Sequence, residues 1–284
     1  MKRSKTVCAA LLLFAAGLGV FLYPMIQGRH AEAQLQSAVS SFVQKQTVHK
    51  IPPKKPGPLS PTELTEPTEP REHADLSAAM QQYNSKIFNE HQKGLSDAWA
   101  YEEPSFYLED YGLEEAVFGV ITIDKLDLEM PIFLGATYNH MAQGVAHLSQ
   151  TSIPIGGKNT NSVLAGHRGW RGAKYFRYIT DLVPGDEVRI TNLWETMTYR
   201  VCQTQIIEPN DVEAIHIKPG RELITLLTCH PYASGGRQRY LVICERIYDE
   251  CNTESPFPEK WRRYSTDSTT DSTYTTYKLN CDAI

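Results

Sequence analysis

The sequence predicts a mainly β protein in which a barrel domain follows an N-terminal helix. Beyond residue 116 the apolar residues fall in short runs of strand length, and turn-forming segments such as Pro184-Gly185-Asp186 separate them. Many short strands joined by such turns are typical of an all-β barrel. The runs cover residues 117–123, 130–134, 162–165, 187–191, 197–207, 223–228 and 240–245.

The chain begins with the pattern of a membrane anchor. Three cationic residues lie within residues 1–6, and no charged residue occurs in 7–23. An uncharged run of this length is at the short end of what spans a bilayer, and its cationic flank favours the cytoplasm. We expect a cytoplasmic basic stub at 1–6, a transmembrane signal anchor at 7–26 and an extracytoplasmic remainder. A cleaved signal peptide is the alternative, because the small residues at 31–33 resemble a cleavage site.

The rest of the chain divides by composition. The stretch 51–70 is rich in Pro, Thr and Glu, which favours an extended spacer. Apolar residues at helical spacing predict a helix over 75–93 that Gly94 ends. The predicted parts are a Pro-rich linker (27–72), an N-terminal helix with a following segment (73–115), the barrel (116–249) and a polar Ser/Thr-rich tail (250–284) that we expect to be disordered.

The amino-acid composition excludes few classes of protein. The chain has 284 residues, of which 41% are hydrophobic, enough for one domain with extensions. Its net charge of -5 gives no support to nucleic-acid binding. Cys202 and Cys244 lie in strand-like runs and are interpreted as small buried hydrophobes. We expect no cofactor and no metal site, and Asp124, Asp127 and Glu129, which could bind calcium, fit solvated loop charges better.

Residues that follow or open the apolar runs carry the candidate chemistry. Cys229 ends one run and Arg239 opens the next, so a thiol and a guanidinium lie side by side if the two strands pair. His167 follows the run at 162–165. The three supply a nucleophile, a proton carrier and an oxyanion donor, the groups that acyl transfer needs. The competing residues are Arg237, on the same strand face as Arg239, and the histidines at 140, 147, 216 and 230, of which His147 is interpreted as structural.

These motifs resemble the sortases, and most closely the class C sortases that assemble pili. The resemblance runs from about residue 83 to residue 246 and rests on three segments in the family's order: Ala165-Gly166-His167-Arg168-Gly169, Thr225-Leu226-Leu227-Thr228-Cys229 and Arg239-Tyr240-Leu241-Val242. It implies a closed barrel of about eight strands. It also implies that Cys229 is the nucleophile, His167 the acid and base, Arg239 the oxyanion donor and Thr228 a substrate contact. His230, adjacent to the cysteine, is expected to border the substrate path.

The resemblance also implies a reaction. Class C sortases are transpeptidases that cleave an LPXTG-like sorting signal through a thioacyl intermediate and pass it to a lysine amine of a pilin subunit. The expected partners are therefore pilin subunits and the membrane. The alternative is a cell-wall-anchoring sortase, whose acceptor amine belongs to a peptidoglycan precursor. A non-enzymatic β-barrel binding module on a Pro-rich stalk is a further alternative, and a papain-type hydrolase is disfavoured because its cysteine precedes its histidine in the chain.

The segment before the barrel resembles the lid of class C sortases, with one departure. The family's lid carries an Asp-Pro-aromatic motif, and this chain has Asp97, Ala98 and Trp99 at that place. The resemblance implies that Asp97 contacts Arg239 and that Trp99 covers the cysteine. Alanine constrains the backbone less than proline, so a looser or differently seated lid is expected. The alternative is an ordinary linker between helix and barrel with one buried tryptophan.

Overall fold

The computed structural model describes residues 2–49, 73–113 and 116–248. Within them eight strands form a closed barrel in the order β1-β2-β3-β4-β7-β8-β6-β5, which confirms the predicted fold class. The strands are β1 (Val117–Ile123), β2 (Leu128–Leu134), β3 (Val145–His147), β4 (Thr160–Ala165), β5 (Glu187–Thr191), β6 (Thr196–Ile207), β7 (Glu222–His230) and β8 (Gln238–Ile247).

The barrel has two parallel strand pairs within an otherwise antiparallel arrangement. Strand β3 pairs with β2 in parallel, and β4 pairs with β7 in parallel from Thr160 opposite Glu222 to Ala165 opposite Leu227. All six residues of β4 are buried, because one face lines the barrel interior and helices and loops cover the other. The carboxyl ends of β4 and β7 therefore lie side by side, and the loop after each strand starts from the same rim.

Three α-helices accompany the barrel in the part of the chain that the structure describes. They are α1 (Lys2–His49), α2 (Ala74–Asn89) and the short α3 (Tyr138–Gln143). Helix α2 buries Leu76, Met80 and Ile87, and the first two pack in an apolar cluster with residues of the barrel. Its buried Asn84 accepts a hydrogen bond from the Ile153 backbone N–H at 2.8 Å and donates one to the Ile153 carbonyl at 3.1 Å. These contacts fix the helix that precedes the predicted lid. The helix ends at Asn89, and turns replace the last residues of the predicted 75–93 span.

Helix α1 corrects the predicted linker. It continues without a break through residues 27–49, so this part of the predicted 27–72 linker is helical, and residues 50–72 lie outside the described residues. One face of α1 packs on the barrel, because Leu35, Val39 and Phe42 follow one another at spacings of four and three and are buried. The predicted tail at 250–284 also lies outside the described residues.

The N-terminal part of α1 meets the requirements of a membrane span. Its large apolar side chains from Leu11 to Ile26 are exposed. Among the described residues, α1 is long and apolar enough to cross a bilayer by length and composition, a property that signal sequences share. The 48 residues of α1 extend about 72 Å at 1.5 Å per residue, more than twice the hydrocarbon thickness of a bilayer.

Candidate active site

The paired strands β7 and β8 bring Cys229 and Arg239 together. The two residues are directly opposite in the antiparallel register, and Arg239 Nη1 lies 3.9 Å from the Cys229 sulfur. The same Nη1 donates a hydrogen bond of 2.7 Å to the Gly236 carbonyl in the β7–β8 turn. A Cβ on Gly236 would lie 3.1 Å from both the guanidinium and the sulfur, and its φ of +76° also favours glycine. Arg237, the alternative arginine, is exposed.

The parallel pairing of β4 with β7 places His167 at the same rim. Ala165 is opposite Leu227, so His167 and Cys229 each lie two residues beyond a paired position. Two hydrogen bonds hold the loop ends together: the Gly166 N–H donates to the Leu227 carbonyl at 3.0 Å, and the Thr228 hydroxyl donates to the Gly166 carbonyl at 2.7 Å. Residues that are 62 positions apart in sequence thus become neighbours through backbone pairing alone.

An aromatic ring supports His167. The Trp170 indole stacks on the imidazole with ring centroids 4.3 Å apart and planes inclined by 10°. Trp99 approaches the same imidazole edge-on at 6.2 Å. Burial lowers the pKa of His167 to about 4, because the charged imidazolium loses its hydration between these rings. In this arrangement the imidazole is neutral at physiological pH and can accept a proton.

The thiol is also held in its neutral form. Burial raises the pKa of Cys229, and the carboxylate of Asp97 adds to the rise. The guanidinium groups of Arg239 and Arg168 act in the opposite direction, since a nearby cation favours the thiolate. The closed site therefore contains both groups of a thiolate–imidazolium pair, but Cys229 is held as the neutral thiol and His167 as the neutral imidazole.

The Asp97–Trp99 segment covers this pair. Asp97 accepts two hydrogen bonds from Arg239, from Nε at 2.7 Å and from Nη2 at 2.6 Å, and the Trp99 ring centre lies 4.5 Å from the guanidinium carbon. Two parallel N–H groups of the guanidinium each donate to a different carboxylate oxygen, and this bidentate geometry is the strongest for an Arg–carboxylate pair. Ala98 is fully buried in the apolar cluster beside the site, so the alanine that replaces the family's proline is tightly enclosed.

The two predicted substrate-contacting residues flank the cysteine. Thr228 is fully buried, and its hydroxyl is occupied by the Gly166 carbonyl. His230 is partly exposed, and its Nδ1 lies 2.9 Å from Arg168 Nη1, which donates to it. The same guanidinium carries a buried Nε without a hydrogen-bond partner. Arg168 therefore joins the histidine loop to the residue after the cysteine, and contact of Thr228 or His230 with substrate stays a prediction.

Other predictions can be judged from their surroundings. His147 is buried, and its Nε2 lies 3.2 Å and 3.0 Å from the carbonyls of Thr151 and Ser152, which supports the structural interpretation. Asp124 is paired with Arg189 through both carboxylate oxygens, at 2.6 Å and 2.7 Å. Within residues 2–49, 73–113 and 116–248 no three His, Cys, Asp or Glu side chains form a group that could hold a metal ion.

Sequence reasoning missed Trp170 and Arg168 as parts of the site. Both stand within three residues of His167, in the run His167-Arg168-Gly169-Trp170. An aromatic residue soon after a candidate histidine is a weak signal by itself. Its importance became visible only when the loop folded the indole onto the imidazole.

Comparison with known proteins defines the class. Residues 121–247 match the family model described as the sortase domain. Sortase D of Bacillus subtilis (strain 168) is 29% identical over 131 residues, covering 45% of this chain and 63% of its own. Sortase A of Streptococcus agalactiae serotype III (strain NEM316) is 30% identical over 117 residues, covering 40% and 47% respectively. The chain thus spans about half to two thirds of the length of these curated relatives.

Solved structures give a wider match. Sortase C-1 from Actinomyces oris has 30% identity and a TM-score of 0.57, with 63% of this chain and 100% of that chain covered. Sortase C1 of GBS Pilus Island 1 has 25% identity and a TM-score of 0.61, with 80% and 98% covered. The chain belongs to the sortase family. Its structural neighbours include class C sortases, in agreement with the resemblance read from the motifs.

Proposed function

We propose that this chain is a membrane-anchored class C sortase, a cysteine transpeptidase that joins pilin subunits. The observation that carries the proposal is the thiol of Cys229 at 3.9 Å from the Arg239 guanidinium, beside the loop of His167 and under Asp97. Support for the pilin substrate comes from the neighbours: one is a sortase of a pilus island, and a sortase C of Streptococcus pneumoniae is described in terms of pilin substrate specificity.

The proposed reaction exchanges one amide bond for another. The Cys229 thiolate attacks the carbonyl carbon of the threonine in an LPXTG-like signal, and Arg239 faces the oxygen that becomes negative. The C–N bond then breaks, and His167 donates a proton to the departing amine. A lysine amine of a second pilin attacks the thioester, His167 removes its proton, and the C–S bond breaks to release the Cys229 thiolate, which restores the starting ion pair. No oxidant, reductant or cofactor enters this balance.

The lid supplies a resting state in the proposal. Substrate has to displace Asp97 and Trp99 before its carbonyl can reach the sulfur. Displacement hydrates the site and removes the carboxylate, so the pKa of His167 rises and the pKa of Cys229 falls toward the reactive ion pair. Opening the lid therefore exposes the nucleophile and activates it in the same movement.

The proposed topology follows from α1. Residues 7–26 span the membrane, residues 1–6 remain in the cytoplasm, and the barrel lies outside the cell. The uncharged helix with its cationic start supports this orientation.

A test uses the full chain purified in detergent with a peptide that carries an LPXTG-like motif and a pilin that carries the same signal. We expect cleavage of the peptide and, on a denaturing gel, a ladder of isopeptide-linked pilin. Cys229→Ala should abolish both, whereas Cys202→Ala, on β6 beside Ile243 and away from the β7–β8 turn, should retain them. Cleavage by Cys229→Ala would overturn the cysteine mechanism.

Acceptor choice separates the proposal from its alternative. The curated relatives include sortases A, so a wall-anchoring role is the second candidate. Supplying the pilin and a peptidoglycan-precursor amine together decides between them. A ladder supports pilus assembly, and exclusive joining to the precursor amine assigns the chain to wall anchoring.

A further inference from the structure

The helix that leaves the predicted membrane span is in backbone contact with the loop that carries His167. A Cβ on Gly28 would lie 3.0 Å from the Gly172 carbonyl oxygen, and a Cβ on Gly172 would lie 2.9 Å from both the Gly28 Cα and the Pro24 carbonyl oxygen. This approach requires glycine at residue 172, where the φ of +86° also favours it, and leaves little room for a Cβ at residue 28. The β4–β5 loop is therefore fixed at the level of residues 24–28 of α1.

That level coincides with the membrane surface. Residues 7–26 make a helix of about 30 Å at 1.5 Å per residue, the thickness of the hydrocarbon core. Gly28 lies two residues further, about 3 Å beyond the hydrocarbon boundary, and the headgroup layer is about 5 to 7 Å deep on each side. A loop held against Pro24 and Gly28 has to lie within this layer when the helix spans the bilayer.

The loop tip carries a cation in an unfavourable backbone conformation. Trp170 and Ala173 exchange backbone hydrogen bonds of 3.1 Å and 2.9 Å, so Arg171 and Gly172 are the two central residues of a tight turn. Arg171 has φ +47° and Gly172 has φ +86°. A left-handed residue other than Gly, Asn or Asp costs about 1 kcal/mol or more, and asparagine is the residue that such turns favour at this position. The geometry of the turn therefore does not account for an arginine at position 171.

The exposed cations near the contact suit an anionic surface. Arg171 is exposed at the loop tip, and Arg29 is exposed on α1 next to Gly28. Glu32, the first acidic group of α1, lies about one turn beyond Gly28 and lines a cavity of about 210 Å³ together with Asp127, Glu129 and Lys174. Basic residues next to a membrane span bind anionic phospholipids with about 1 kcal/mol each.

We propose that the turn at residues 170–173 lies in the lipid headgroup layer, with Arg171 and Arg29 bound to the phosphates of an anionic phospholipid surface. This inference rests on the membrane anchoring in the proposed function. Its consequence concerns the site, because the Arg171 guanidinium carbon lies 5.7 Å from the Trp170 ring centre and that ring stacks on His167. The catalytic groove then opens at the membrane surface, and lipid contact steadies the ring that positions the histidine.

The test measures hydrogen–deuterium exchange of the full chain in two kinds of nanodisc, one of phosphatidylcholine and one of an equal mixture with phosphatidylglycerol. We expect the peptide covering residues 168–174 to exchange several-fold more slowly in the anionic discs. Arg171→Asn should remove this difference, and because asparagine suits the turn, the variant should fold at least as well as the parent. Lys218→Asn removes an exposed charge from the opposite end of the β4–β7 pair and should keep the difference.

Anchoring is assayed separately, by flotation of the full chain with vesicles after alkaline carbonate extraction. Retention with the vesicles but equal exchange of 168–174 in both discs overturns the lipid contact and leaves the proposed function standing. Release from the vesicles overturns the anchoring and the lipid contact together, while peptide cleavage in detergent still reports on the transpeptidase. Persistence of the lipid effect in Arg171→Asn also overturns the proposal.

Discussion

Cys229 and Arg239, which are opposite each other on the paired strands β7 and β8, define the candidate site. Arg239 makes several of the contacts in it. Its guanidinium lies 3.9 Å from the sulfur of Cys229, is held by the Gly236 carbonyl and is paired with Asp97. The sequence left Arg237 open as the alternative, since both arginines share a strand face. The register resolves it, because Arg239 is the residue opposite Cys229.

Replacing Arg239 tests its proposed role. Arg239→Ala should lower kcat/KM for peptide cleavage by about 10²- to 10³-fold, the usual cost of losing an oxyanion donor. The measurement is steady-state cleavage of a fluorogenic LPXTG-like peptide. Arg237→Ala, an exposed arginine two residues away, is the matched control and should remain close to the parent. Equal losses in the two variants would contradict the assignment.

Trp170 is a positioning residue for His167. Trp170→Ala should slow cleavage by about 2- to 10-fold, since an aromatic stack contributes about 0.5 to 1.5 kcal/mol. It should also raise the pKa of His167, because water reaches the imidazole. A shift of the acidic limb of the pH–rate profile to higher pH would show this, and Trp170→Phe should restore the parental profile. A change in rate with no change in the profile would indicate a purely structural role.

Among the elements, the short segment after α2 covers the candidate site. Its 3₁₀ turn at Ala98–Ala100 is anchored at one side by the buried Ala98 and at the other by the ion pair of Asp97 with Arg239. The motif predicted both a covering aromatic residue and an aspartate partner for Arg239, and the geometry agrees. Ala98, at the place of the family's proline, is fully buried, and a looser or differently seated lid stays a prediction.

Weakening the ion pair should open this segment. Asp97→Asn keeps the shape of the side chain but removes its charge, so labelling of Cys229 by a small thiol reagent should become several-fold faster. Mass spectrometry of the peptide that contains Cys229 gives the rate site by site. Asp110→Asn, an exposed carboxylate in the same segment, is the control and should label at the parental rate. Unchanged labelling of Asp97→Asn would mean that the segment does not limit access.

Strand β3 is the one strand of the barrel that the sequence pattern did not predict. It has three residues, all buried, and it pairs in parallel with β2 and antiparallel with β4. A run so short shows no alternation, so its identity as a strand depends on the neighbours that accept and donate its hydrogen bonds. The other seven strands were predicted, because each is long enough to show an apolar run between turn residues.

For the whole molecule, two buried histidines tie stability to pH. Burial lowers the pKa of His147 and of His167 to about 4, below the ordinary value of 6.5. Between these pH values the two histidines are protonated in the unfolded chain and neutral in the folded chain. The free energy of unfolding should therefore fall as the pH falls from about 6.5 to about 4, by up to about 1.4 kcal/mol per pH unit for each histidine.

Denaturant unfolding of the full chain in detergent at a series of pH values measures this slope. His147→Asn should make the slope shallower by up to about 1.4 kcal/mol per pH unit, since one of the two groups no longer titrates. His216→Gln, on a partly exposed imidazole beside Glu213, serves as the histidine control. A slope that His147→Asn leaves unchanged would contradict this account.

The sequence predicted an anchor, a barrel and a lid as separate parts, but it did not predict how they are connected. The helical spacing of Leu35, Val39 and Phe42 was present in the sequence, yet the proline-rich stretch that follows suggested a linker for the entire 27–72 region. In the structure α1 continues from the span onto the barrel. In the proposed topology, its glycine contact with the β4–β5 loop places the candidate site near the membrane surface.

The sequence alone determined the class of fold and the family, and it predicted a candidate site at Cys229, His167 and Arg239, because apolar periodicity and short motifs are local properties. The tertiary structure decided which arginine faces the sulfur, what stacks on the imidazole and where the first helix ends its contact with the barrel. These depend on strand register and on close packing between distant segments. Neither quantity is encoded in any single stretch of the chain.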